Sequence, residues 1–418
     1  MRPIIASVSL KLNATQRTAV GVLALCALMN MLSRGVGESF AVFLLPISRE
    51  FGTDRAALTG VYSAYMLIVG LMSPFAGMAI DRLGPRICYG MGLLLFGAAY
   101  ALAGYSQSLW HMYLLIGGLS AMGSSLIGSV TASGLVSRWF RTRLPTAMGI
   151  LAASLGTGML LVAPLMQAIV ERWGWRQAYT GLGMSAMALV LPLMLLPWKR
   201  IAAGSPEVLE ATATRASTQA AWTVLRALRT KTFWALSGVM FFTSITTYTI
   251  IVQLVASFID AGISPLRSAT MFGLVGMVSI AGMMGAGVLA ERFGERAVAT
   301  LSYSSTILGI GVLSLIMSHP EQWLLTLFVL LFGTMQGSRG PLVAVLAARH
   351  YPGAMGRVYG MVMMCSGVGA AVGSWASGHL FDLTHSYQAG YALAATSAAC
   401  GLSIFWLVRQ MDGKNALR

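Results

Sequence analysis

Twelve long apolar runs leave this chain very few ways to fold. They lie near residues 18–46, 57–80, 87–106, 109–137, 145–169, 177–197, 233–258, 268–290, 297–317, 323–348, 357–381 and 389–409. About 20 residues of helix cross a hydrocarbon core of about 30 Å. Inside such a core the backbone has to satisfy its own polar groups, which restricts a spanning segment to a helix or a strand of a closed barrel. Runs this long and this continuously apolar are helical. The expected fold class is an all-α polytopic membrane protein with twelve transmembrane helices.

Composition removes the alternatives. Charged residues make up 10% of the 418 and apolar ones 56%, whereas a soluble domain carries about 25% charge. That deficit excludes a cytosolic enzyme, a nucleic-acid-binding domain and a disordered chain. The surplus of 28 Lys+Arg over 13 Asp+Glu is scattered rather than gathered on one basic face, so nucleic acid is not an expected partner. Cys26, Cys88, Cys365 and Cys400 sit inside apolar runs without metal-ligand spacing, as small buried hydrophobes do, so neither disulfides nor a metal is expected. There is no Gly-x-x-x-x-Gly-Lys-Ser/Thr phosphate loop, so no nucleotide cofactor or ATP-driven chemistry is expected. The chain is not expected to be an enzyme. No cleavable signal peptide is expected, because no small-residue cleavage site is evident at the N-terminus before a long apolar run.

The one long break in the apolar pattern, 198–232, contains Lys199, Arg200, Pro206, Glu207, Glu210, Arg215, Arg226, Arg229 and Lys231. It separates a half at 1–197 from a half at 233–418, each with six spans. Orientation follows from Lys and Arg, which accumulate on the cytoplasmic side. With both termini cytoplasmic, the outside loops hold Arg49, Arg55, Arg172, Arg176 and Arg267, the spans hold Arg34 and Arg339, and the remaining 21 of the 28 lie inside. A monomeric multi-pass protein of a bacterial cytoplasmic membrane is the expectation.

The halves repeat. Gly77-Met-Ala-Ile-Asp81-Arg82-Leu-Gly84-Pro-Arg86 follows the second span, and Gly287-Val-Leu-Ala-Glu291-Arg292-Phe-Gly294-Glu-Arg296 follows the eighth, 210 residues later. Nearly the same offset relates Gly52 to Gly262, Arg138 to Arg349, Gly149 to Gly360, and Gln177-Ala178 to Gln388-Ala389. Parallel six-span halves about an axis along the membrane normal describe a transporter whose site lies between them. Asp81, Arg82 and Arg86, with Glu291, Arg292 and Arg296, are candidates for a latch in which an acid pairs with nearby arginines or a helix N-terminus.

On these motifs the whole chain resembles the major facilitator superfamily, and Gly77–Arg86 is similar to that family's signature between its second and third helices. A finer resemblance rests on Arg34-Gly-Val-Gly-Glu38-Ser-Phe-Ala-Val-Phe, and on Ser137-Arg-Trp-Phe-Arg141-Thr-Arg143 followed by Ala147-Met-Gly149 and Gly156-Thr-Gly158. These resemble the monocarboxylate transporters and their oxalate/formate exchanger relatives. The resemblance implies a carrier of organic anions, often with a proton. The sequence departs from that group in two places: 268–290 lacks its eighth-helix arginine, and the exchangers' eleventh-helix lysine is absent.

An ionisable group at bilayer depth costs several kcal/mol or more and marks function by default. Arg34, Glu38 and Arg339 are the three such residues. Arg339, within Gln336-Gly-Ser-Arg339-Gly-Pro341, is about 15 Å from its helix end at 1.5 Å per residue. There it can offer a carboxylate two parallel donors, or it can be a structural arginine bonded to carbonyls. Arg34 and Glu38, at i and i+4, share one helix face, as either a permanent ion pair or a substrate and proton site. Tyr248, Thr246, Thr247, Thr249 and Gln253 give the seventh span a polar face. The expected substrate site therefore combines Arg339, Arg34, Tyr248, Gln253, Gln336 and Thr247, with Glu38 coupling a proton.

The leading expectation is a secondary transporter of a small organic anion, a mono- or dicarboxylate, by proton-coupled symport. Its partners would be that anion, protons and membrane lipid. The alternative is a proton-driven efflux pump for drugs or siderophore-like compounds. Ala163 before Pro164, where efflux antiporters carry glycine, weighs against it. A receptor built on a transporter fold is a third reading. The topology is open to direct test: in a Cys-free variant, single cysteines placed in 198–232 should resist impermeant thiol reagents in intact cells. Labelling from outside reverses the assignment.

Overall fold

A computed structural model describes residues 14–140, 144–205, 224–351 and 355–408. Arg141, Arg143, much of the 198–232 segment and the Glu291 side chain lie outside the described residues. Ten helical stretches are long and apolar enough to span a membrane, and two of them, Arg55–Ala103 and Thr146–Met194, run to 49 residues. A straight helix of that length would measure about 73 Å, far more than a bilayer needs. Each is instead two helices, joined at Gly84 (φ 79°, ψ 163°) and at Gly174 (φ 83°, ψ 165°). Only glycine adopts these angles without steric cost. Ten stretches with two of them double give twelve helices.

In chain order they are α1 (Thr15–Phe51), α2 (55–83), α3 (85–103), α4 (Leu109–Val136), α5 (144–173), α6 (175–194), α7 (Lys231–Asp260), α8 (Pro265–Phe293), α9 (Glu295–Ile316), α10 (Gln322–His350), α11 (Met355–Thr384) and α12 (Gln388–Leu407). Connections after odd-numbered helices gather on one face of the bundle. There Arg176 at the start of α6 donates to Glu50 at the end of α1 and to the carbonyls of Gly104 and Ser106 after α3. Connections after even-numbered helices gather on the other. There the Trp139 indole after α4 donates to the Ile201 carbonyl after α6.

The repeat is visible in the backbone. Gly84 and Gly294 share one left-handed conformation, and Gly52 and Gly262 both have positive φ. Where α5 turns into α6 at Gly174, the matching α11–α12 turn uses His385 at φ 49°. α4 and α10 are both broken. α4 has a wide-turn segment at Tyr113–Ser120 and an extended residue at Gly128. α10 has a wide-turn segment at Val329–Gly333 and restarts at Arg339 after Ser338. Pro341 falls in the first turn of the restarted segment, where a missing N–H is tolerated, rather than freeing a carbonyl inside the helix.

The halves meet along α2–α11, α5–α8 and α1–α7. The α2–α11 approach is the tightest kind a helix pair allows: a Cβ added at Gly367 would lie 2.6 Å from Gly70 Cα. Backbone therefore meets backbone at this point, and a side chain has no flexible neighbour to displace. Overpacking of this type costs about 1–3 kcal/mol, so Gly367→Ala should lower the melting temperature of the purified protein. A wild-type melting temperature would show that the helices part there freely.

Candidate functional site

Three charges lie at span depth, and the structure treats them in two ways. α1 is interrupted at Ser39, just after Glu38. Arg34 and Glu38 stay on one face of the preceding helical segment, where the Arg34 guanidinium reaches Glu38 Oε1 at 3.0 Å. The same oxygen accepts from the Tyr248 hydroxyl of α7 at 3.1 Å. That hydroxyl in turn accepts from Arg34 at 2.9 Å. The second Glu38 oxygen accepts from Tyr62 of α2 at 2.8 Å. Both carboxylate oxygens act as acceptors, the arrangement that suits the ionised acid. Glu38 is buried, while the Arg34 side chain remains 23% exposed, so the guanidinium keeps an open edge.

Around this cluster lie further aromatic and hydroxyl groups. Tyr62 stacks on Phe40 and Tyr65, and Tyr65 bonds Ser124, which bonds Ser33. Tyr248 is the residue that the 210-residue offset pairs with Glu38, so the two repeats meet at equivalent positions of α1 and α7.

Arg339, read from sequence as either an anion site or a structural arginine bonded to carbonyls, stands apart from the Arg34 cluster. It is fully enclosed and turns onto α9 within its own half. Its Nε donates to Ser302 Oγ at 3.0 Å, and Nη2 donates to the Ser302 carbonyl at 3.1 Å and to Thr306. The guanidinium carbon lies 4.0 Å from the centre of the Tyr303 ring, a cation–π contact that gains strength away from water. Carbonyl, hydroxyls and ring answer the charge in part and without an acid, while Nη1 is buried without a partner. Gln336, one turn earlier, is partly buried with its carbonyl oxygen unpaired. Thr247 is partly buried and outside the Arg34 cluster.

Gln253 belongs to a second cluster, at the odd-loop face, that sequence reading missed because its charges looked like ordinary loop charges. Arg55 of α2 pairs with Asp260 of α7 at 2.7 Å and donates to Gln253 Oε1 at 3.2 Å and to Tyr387. Its guanidinium stands 3.8 Å over Phe381 of α11. Tyr387 donates to Asp260 at 2.6 Å; burial first, and then its bond to Asp260, push this phenol well above its usual range, which keeps the donor proton in place. Ser63 of α2 bonds the Ala371 carbonyl of α11. Together these contacts close the odd-loop face across the halves.

At the even-loop face the latch candidates bond within their own halves. Asp81 pairs with Arg138 at 3.0 Å, Arg86 reaches the Met194 carbonyl at 3.5 Å, and Arg296 donates to the Phe405 carbonyl. Arg82 and Arg292 are exposed. In the second half it is Glu295 that pairs with Arg349, the counterpart of Arg138. The solvent-exposed Asp81–Arg138 pair contributes about 0–1 kcal/mol, whereas the Glu295 carboxylate is buried.

A twelve-helix bundle with a charged cluster where its two halves join, bonded across the halves at one face and, among the described residues, carrying ion pairs within each half at the other, defines a membrane carrier of the two-half type. The chain belongs to the Major Facilitator Superfamily, whose family model matches residues 23–374 and 262–416. It is 28% identical to the MFS-type transporter YcxA of Bacillus subtilis (strain 168), over 84% of this chain and 85% of that one. It is 27% identical to monocarboxylate transporter 13 of Rattus norvegicus, over 88% and 84% of the two chains, and 28% identical to monocarboxylate transporter 11 of Homo sapiens, over 90% and 80%. Among solved structures it resembles the xylose transporter XylE from E. coli in a partially occluded inward-open conformation. The TM-score is 0.73 at 11% identity, covering 96% of this chain and 99% of that one. The protein is a transporter and not an enzyme.

The setting of Arg339 generates a prediction. Arg339→Ala removes the groups that satisfy Ser302 and Thr306 and leaves a cavity, a change of the class that costs about 2–5 kcal/mol. It should lower the melting temperature while leaving any stabilisation by carboxylates intact. Loss of carboxylate stabilisation in a folded Arg339→Ala protein would restore Arg339 as an anion site.

Proposed function

We propose that this transporter carries a small organic anion, a mono- or dicarboxylate, together with a proton, and that Arg34 and Glu38 are the groups that couple them. One observation carries the reading: a partly open guanidinium and a buried carboxylate share a hydroxyl, that of Tyr248, supplied by the opposite half. A carboxylate that binds the open edge of Arg34 competes with Glu38 for the same cation. Two carboxylates at one guanidinium in a low-dielectric site leave one negative charge uncompensated, a burial that costs several kcal/mol. A proton on Glu38 removes that charge, so anion and proton occupy the site together. Either Tyr62 or Tyr248 can then accept the single O–H of the protonated acid while the other still donates to the second oxygen.

The names of the monocarboxylate relatives support the anion class. The sealed odd-loop face and the likeness to an inward-open structure support a cycle in which the halves rock about the α2–α11 and α5–α8 seams. With Lys and Arg concentrated at the even-loop face, we assign that face and both termini to the cytoplasm. The transported species would then leave the cluster toward the cytoplasm in the conformation seen. The Asp81–Arg138 and Glu295–Arg349 pairs are assigned to the latch that closes the even-loop face in the opposite state.

Purified protein in proteoliposomes tests this directly. Glu38→Gln should retain carboxylate counterflow yet lose accumulation driven by an imposed proton gradient. Arg34→Ala should weaken thermal stabilisation by a panel of mono- and dicarboxylates about tenfold or more, the scale of a truncated buried charge contact. Proton-driven accumulation that survives in Glu38→Gln, or wild-type carboxylate binding in Arg34→Ala, overturns the assignment.

A further inference from the structure

α2 begins at the odd-loop face with Asp54 in the N-cap position, its carbonyl accepting from Leu58 N–H. Asp54 is one of the residues that cap best, because its carboxylate can take an otherwise unpaired N–H of the first turn. Here it makes no such bond and stands exposed. The first-turn amides are taken from across the molecule instead. Arg55 N–H donates to Asp382 Oδ1 at 3.0 Å and Ala56 N–H donates to Asp382 Oδ2 at 2.6 Å. Asp382 lies in the last turn of α11, in the other half. One helix start thus has two carboxylates within its reach, one on its own half and one on the opposite half, and only the second is engaged.

We propose that α2 exchanges these caps as the carrier cycles: Asp382 holds the helix start while the odd-loop face is closed, and Asp54 takes it over when the halves part there. This rests on the alternating-access reading given above. Opening a face sealed by Arg55–Asp260 and Asp382 would otherwise strand the first-turn N–H groups and forfeit the favourable charge at the positive end of the helix. A carboxylate already placed at the N-cap recovers both contributions without any movement of the helix. The exchange keeps the closed and open states close in free energy, which a carrier that must visit both requires. The rest of the seal has no such substitute. Arg55, on leaving Asp260 and Phe381, goes to water.

The experiment measures the distance between spin labels at Gln107, after α3, and His319, after α9. Both are exposed positions on the odd-loop face, one in each half. The full-length protein is used in lipid nanodiscs with Cys26, Cys88, Cys365 and Cys400 replaced. Asp382→Asn, which keeps the shape and removes the charge, should raise the ratio of the long to the short distance about fivefold, the scale of one lost cap. Adding Asp54→Ala to Asp382→Asn should bring the ratio back down about fivefold, because the open state then loses its own cap. A long-distance population that responds to neither substitution, or one that Asp54→Ala increases, overturns cap exchange while leaving alternating access standing. Absence of a long distance in every variant overturns both.

Discussion

A charge inside a bilayer has to be answered within the protein, and the two ways this chain does so organise everything else. Arg339 is answered locally by a carbonyl, two hydroxyls and an aromatic ring, all from α9. Those partners belong to one half, so nothing about them changes when the halves move. Glu38 is answered by Arg34 on its own helix, by Tyr62 on α2 and by Tyr248 on α7. The last of these belongs to the opposite half. A buried charge whose compensation comes from both halves is tied to how the halves sit against each other, and the coupling role proposed for the Arg34 cluster rests on this.

The repeat supplies the frame for this joint. Left-handed residues recur at equivalent turns, breaks recur in α4 and α10, and Arg138 and Arg349 each pair with an acid of the neighbouring connection. Function comes from the departures. Tyr248 stands where the repeat would place a second Glu38, so one carboxylate faces a neutral hydroxyl rather than a like charge. Two carboxylates across the axis would repel in a site with little water to screen them. The odd-loop seal is equally one-sided: Arg55 comes from the first half, and Asp260, Phe381, Asp382 and Tyr387 come from the second.

Polar bonds that cross between the halves concentrate at the level of Arg34 and toward the odd-loop face, with Arg55, Ala56 and Ser63 as the first-half participants. Among the described residues at the even-loop face, Asp81 pairs with Arg138 and Glu295 with Arg349, each inside its own half. Such a distribution stabilises one end-closed state by interactions that are individually modest, so a ligand with a differential affinity of a few kcal/mol can shift it. A carrier built with one large apolar inter-half interface would be locked. One built with small exchangeable contacts can move.

The sequence by itself determined the long apolar runs, a repeat at an offset of about 210 residues and the shared helix face of Arg34 and Glu38. Hydrocarbon admits few backbone solutions, duplication leaves its offset in the residues, and i, i+4 spacing fixes two side chains on one helix face. It did not determine which neighbour each face meets. Arg339 lies on a helix whose period is legible, yet the break at Ser338 resets its rotation, and only packing decided that the guanidinium turns onto α9. Arg55, Asp260 and Asp382 looked like ordinary loop charges because they are 205 and 327 residues apart along the chain. The way the halves pack brought them together. Periodicity is a property of one helix, whereas a site between halves depends on the relative rotation and tilt of several, and those are set by side-chain packing that no single segment encodes.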